Sequence, residues 1–170
     1  MAQPGNDRPQ PLPEGRFAGR EQFRAWVRSA LAAAAREGWS ELILSDGNFA
    51  DWPLGERAVV ESLQEWARPG RRMTLLALDF GEVARRHPRF VHWRRQWDHL
   101  LDCRQASAPD PLSLPSVLWS PQWALQRHDP VRSTGVAGSD SAQRVLLREQ
   151  LGEWITSRSC PAFPATVLGL

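Results

Sequence analysis

From Arg20 to Glu37 the apolar residues Phe23, Trp26, Val27, Ala30, Leu31 and Ala34 recur at three- and four-residue intervals, which predicts a helix with one buried face, stopped at Gly38. The period then changes. Glu41–Ser45 and Arg72–Leu78 are short continuous apolar runs closed by Asp46 and Asp79, the pattern of strands covered on both faces. Between them the spacing predicts a second helix from about Gly55 to Trp66. Helix, strand, helix, strand is the order of a parallel sheet with right-handed crossovers.

Glu82–Arg86 reads as a short helix ended by the restriction that Pro88 places on His87. Pro88 opens another, with Phe90, Trp93, Trp97, Leu100 and Leu101 as its apolar stripe and Arg89, His92, Arg95, Gln96 and His99 away from it. Leu101–Gln105 is a candidate third strand, Ala106–Ser116 a Pro-rich loop, and Val117–Ser120 with Trp123–Arg127 a candidate hairpin or edge pair. Asp129–Ser139 reads as a loop or poor edge strand. A last helix, capped by Ser139 or Asp140, buries Val145, Leu147, Leu151, Trp154 and Ile155.

The expected architecture is a single α/β domain over residues 19–158, with a small, mixed and mostly parallel sheet and helices on both faces. Residues 1–18, polar and Pro-rich, are expected to be disordered. Residues 159–170 form an extended tail. Its Phe163, Val167 and Leu168 either pack on the domain or dock into a protein partner.

Composition adds limits. A chain of 170 residues can bury a core without staples, and Cys103 and Cys160 form neither a disulfide framework nor a zinc knuckle, which suits a reducing cytoplasm. No apolar run suits a signal peptide or a membrane span. All 21 basic side chains are arginine, so no lysine amine is available to chemistry. From Arg68 to Arg104 nine arginines face four acids, a net of +5, so an anionic partner is expected to settle there.

Two constellations could carry function. Arg85, Arg86, His87, Arg89, His92 and Arg95 crowd one segment and suit a phosphate-bearing ligand, nucleic acid among the options; a solvated face is the competing reading. Asp46 and Asp79 follow parallel strands, where open sheets bind ligands. If they converge they suit a metal-assisted phosphoesterase or nuclease with His87 or His92 as proton carrier; otherwise they are turn formers or helix caps. No cofactor motif is present, and His92 and His99, roughly 10 Å apart along a helix, cannot share one metal. Cys103 beside Arg104 is either an activated thiol or a buried structural one. Of the nine tryptophans, Trp26, Trp66, Trp93, Trp97 and Trp154 fall on apolar helix faces, so most of them are expected in the core, while Trp52, Trp119 and Trp123 lie in or near loops, where core packing is favoured over stacking on a base.

The runs Leu42–Asp46 and Arg72–Asp79 with the basic helix Pro88–Leu101 resemble a half-domain of the phospholipase D-like fold, in a degenerate form found in small uncharacterised bacterial proteins. The resemblance covers about residues 19–158. Active members of that family use H-x-K-x-x-x-x-D, whose histidine is the nucleophile. The nearest string here, His92–His99, has Arg94 at the lysine position and its acid, Asp98, one residue early. The resemblance therefore implies the fold without the catalytic residues, and the leading expectation is a non-catalytic cytoplasmic binding or interaction module.

Overall fold

The computed structural model describes residues 10–164. Among the described residues, eight strands form one mixed sheet accompanied by five α-helices. The strands are β1 (Gly15–Ala18), β2 (Glu41–Ser45), β3 (Arg72–Ala77), β4 (Leu101–Ala106), β5 (Ser116–Trp119), β6 (Ala124–Asp129), β7 (Thr134–Gly138) and β8 (Ser159–Pro161). The helices are α1 (Arg20–Glu37), α2 (Arg57–Trp66), α3 (Gly81–Arg86), α4 (Pro88–Gln96) and α5 (Ser141–Ser157). Sheet order is β1-β7-β6-β5-β2-β3-β4-β8.

The predicted units around β2 and β3 form as expected. Both strands are apolar along their length, so each must be covered above and below. Leu42 and Leu44 join one core cluster with Phe23, Leu31 and Leu63 from α1 and α2. Ile43, pointing the other way, joins Leu147 and Leu151 from α5 in a second. α1 ends at Gly38, whose φ of 69° is the left-handed turn that glycine adopts without strain. At the start of α5 the Asp140 carboxylate accepts the Gln143 N–H, the cap that the sequence predicts.

Four expectations are corrected. Only β2/β3 and β3/β4 pair in parallel, whereas five of the seven pairings are antiparallel, so the sheet is mixed but not mostly parallel. Thr134–Gly138 is an interior strand between β6 and β1. A Cβ at Gly135 would fall on the Gln126 carbonyl oxygen and the Phe17 ring, so the glycine that weakens the strand pattern is what lets the two neighbours close over it. The chain is ordered into sheet beyond the expected 19–158 boundary on both sides: Gly15–Ala18 pairs with β7 and Ser159–Pro161 with β4. Val145, expected in the core, is 56% exposed, because α5 meets the sheet through Leu147, Leu151 and Trp154.

The helix from Pro88 ends earlier than its apolar stripe, at Gln96, and Asp98–Leu100 is a 3-10 turn feeding β4. Trp52, Trp119 and Trp123 are all buried, so the loop tryptophans serve packing. Phe163 stacks on Phe80 with ring centroids 5.0 Å apart, which places that part of the tail on this chain's own core. Val167 and Leu168 lie outside the described residues.

Candidate functional site

Asp46, at the end of β2, is buried and fully engaged. Its Oδ1 accepts from Ser116 Oγ at 2.7 Å and from Arg127 Nη2 at 2.8 Å. Its Oδ2 accepts the backbone N–H groups of Phe49 at 2.8 Å and Asn48 at 3.2 Å. A carboxylate offers about four lone-pair directions, and these four donors use them. Asp79 is exposed, and its Oδ1 accepts the Gly81 N–H at 2.9 Å, turning the chain into α3. The two acids thus take separate partners, and among the described residues no three His, Cys, Asp or Glu side chains gather to hold a metal.

Arg127, which the sequence does not mark, is the centre of the buried network. Besides Asp46 it reaches Asp51 Oδ2 at 3.3 Å and Ser133 Oγ at 3.3 Å, and its guanidinium lies 4.5 Å from the Phe23 ring centre. Alternation in β6 puts Arg127 on the same side as Leu125, the one sequence signal of its burial.

The basic segment separates. Arg85 and Arg86 both pair with Glu82, the Arg86 contact being 2.6 Å. His87 is buried and donates from Nε2 to the Phe49 carbonyl at 2.8 Å; burial, aided by the nearby Arg86 and Arg24 charges, pushes its pKa below the ordinary value. Phe49 itself has φ 60°, a left-handed conformation costly for a bulky residue, held by Asp46 on its N–H and His87 on its carbonyl. Arg89 donates to the Gly55 carbonyl at 3.3 Å. His92 and Arg95 are exposed.

Arg94 turns inward. Its side chain is 5% exposed, 3.5 Å from Asp98, and its guanidinium sits 4.8 Å from the Phe163 ring centre. Cys103 lies beside it, yet burial outweighs the arginine and drives the thiol up to about 11, so this is a structural thiol and not an activated one.

Three of the basic residues do converge. Arg86, His87 and Arg89 line a cleft of about 330 Å³ together with Arg24 from α1 and Trp52. Sequence reasoning missed Arg24, although Arg20, Arg24 and Arg28 recur every four residues along the polar side of α1 and so share a face. Arg24 donates from Nε to the Asp51 carbonyl at 2.8 Å. The carboxylate in the cleft wall, Glu56, is held by Arg28 at 2.6 and 2.7 Å, and that pairing keeps its carboxyl below the usual carboxylate range. Both α2 and α4 begin at this cleft, their N-cap residues Glu56 and His87 lining it, and neither helix has a side-chain cap.

No protein-family model matches the chain, and no curated protein matches it. Among solved structures it is similar to TrmBL2, an archaeal chromatin protein whose structure shows a mode of DNA binding, with a TM-score of 0.62 at 14% identity over 91% of this chain. The chain spans 56% of that structure's length. At this identity the likeness establishes a shared α/β fold. No helix among the described residues is long and apolar enough to cross a membrane.

Proposed function

We propose that this protein is a non-catalytic binding module for a phosphate-bearing ligand, held at the cleft formed by Arg24, Arg86, Arg89 and His87. The observation that carries the reading is convergence: arginines from α1, α3 and α4 line one recess whose single lining carboxylate, Glu56, is already paired with Arg28. Arg86 uses Nε on Glu82, and its Nη groups make no hydrogen bond among the described residues, so they are available to a bidentate acceptor. Burial lowers the pKa of His87, and a neutral imidazole there packs rather than transfers protons.

A phospholipase D-like half-domain suits the parallel β2–β4 unit with α1 and α2 on one side and α5 on the other. Arginine in place of lysine removes the motif that the family's hydrolysis needs, and Asp46 is occupied by Arg127. Metal-assisted phosphoesterase chemistry at Asp46, Asp79 and His92 therefore has no observation in its favour. Two free thiols, Cys103 and Cys160, suit a reducing cytoplasm.

The test is calorimetric titration of the protein with inorganic phosphate, phosphoserine and a short DNA duplex at two salt concentrations. Saturable binding that weakens with salt and falls at least tenfold in the Arg24→Ala/Arg89→Ala variant supports the reading. Binding that the variant leaves unchanged, or none at millimolar ligand, overturns it.

A further inference from the structure

The cationic cleft does not end at Arg89. That residue also lines a groove of about 750 Å³ between α2 and α4, floored by Val60, Pro88 and the buried indole of Trp93. Because α2 and α4 both start at the cleft, the groove runs away from it along the two helices. Its walls carry Arg57, paired with Glu61 at 3.4 Å, and further along Gln64, Glu65, His92 and Gln96, so beyond the Arg57–Glu61 pair there is no arginine.

This arrangement sorts anions by shape. A nucleic-acid strand or a polyphosphate continuing along the groove would meet Glu65 and, apart from Arg57, which is already paired with Glu61, no arginine, so its further phosphates gain no partner there. A ligand with one charged head and an uncharged apolar body needs none. The apolar floor is recessed, with Trp93 only 2% exposed, so it receives a molecule and does not protrude into a bilayer. The volume lies within the roughly 300–1,000 Å³ of small-molecule sites.

From this continuity we infer that the cleft and groove form one site for a free amphiphilic phosphate monoester, with its phosphate among Arg24, Arg86 and Arg89 and its hydrocarbon body between α2 and α4. The inference rests on the cleft being a phosphate site and adds the chemical class of what is attached to the phosphate. A monoester is favoured over a diester because it carries close to two negative charges at neutral pH and three terminal oxygens, matching three guanidinium groups.

The experiment is calorimetric titration with inorganic phosphate and with ethyl, butyl, hexyl and octyl phosphate, all below their aggregation concentrations, and with octanol as the uncharged control. Each added methylene should tighten binding about fourfold while the groove is filling, since burying a CH₂ is worth about 0.8 kcal/mol. In Val60→Gln, which adds polarity to the groove without a charge and is checked for folding by circular dichroism, that dependence on chain length should weaken sharply while inorganic phosphate binds as before. A flat series with phosphate still bound overturns the amphiphile and leaves the cleft reading standing. No binding of any phosphate overturns both. Octanol binding as tightly as octyl phosphate shows that cleft and groove do not act together, and adenosine monophosphate binding more tightly than octyl phosphate replaces the hydrocarbon body with a base. Binding to phosphatidic acid vesicles without binding to octyl phosphate rejects a free small molecule.

Discussion

The Arg127 guanidinium meets Asp46 at 2.8 Å and that of Arg86 meets Glu82 at 2.6 Å, yet the Arg127 side chain is 3% exposed and the Arg86 side chain 59%. The contacts are alike; the surroundings are not. Arg127 is enclosed by Asp46, Ser116, Asp51, Ser133 and the Phe23 ring, so its donors are matched inside the protein and it holds β2, β5 and β6 together. Arg86, with Arg24 and Arg89, faces an open recess with donors remaining. An arginine becomes structural when its neighbours complete its hydrogen bonds, and keeps donors for water or for a ligand when they leave some unmade.

The sharpest way to break the comparison is at the buried pair. Arg127→Met should cost about 3–5 kcal/mol in urea unfolding, because it leaves the Asp46 charge buried without its partner. The double variant Arg127→Met/Asp46→Asn should recover part of that loss; a double variant no better than the single would show that packing, not charge, holds the site. Gly135→Ala, which crowds β6 and Phe17 beneath the same network, should cost about 1–3 kcal/mol by the same measurement.

His87 links the two regions, and its effect depends on pH. Its folded pKa is depressed, so the unfolded chain takes up a proton at higher pH than the folded one. Its stability contribution is complete above about pH 6.5 and declines as pH falls through that value toward the folded pKa. Unfolding of His87→Gln should lose that part of the slope; an unchanged slope would assign it to other groups. The smallest effect is expected at the half-exposed Arg28–Glu56 pair, where Arg28→Ala should change stability by only about 0.2–1 kcal/mol. The same change should weaken phosphate binding at the cleft, because Glu56 is then left unneutralised.

Much of the first half of the fold is legible in the chain. Leu42–Leu44 and Leu75–Ala77 are strands by their unbroken apolar runs, and Phe23, Val27, Ala30 and Leu31 give α1 its buried face. Thr134–Gly138 is illegible for a physical reason: Gly135 and Gly138 carry no side chain to show a period, and their place inside the sheet is set by Phe17 and Gln126 from distant segments. The site follows the same division. The run from Arg85 to Arg95 contributes Arg86, His87 and Arg89 to the cleft, but sequence cannot separate Arg94, folded inward over Phe163, from Arg89, which lines it. Arg127 looks like any polar residue in a hairpin until Asp46 is brought against it.

The placement of β1 carries a consequence for how the chain reaches this state. Among the described strands it comes first in the chain, yet its partner, β7, is the seventh, and the edge beside β4 is filled only by β8. The α1–β2–α2–β3 unit has its partners early, through contacts close in sequence. Gly15–Ala18 has to wait until Thr134–Gly138 emerges, and closing so long a loop costs entropy before any pairing repays it. Until then Phe17 has no strand to cover, and the nascent chain carries an unpaired strand until β7 follows.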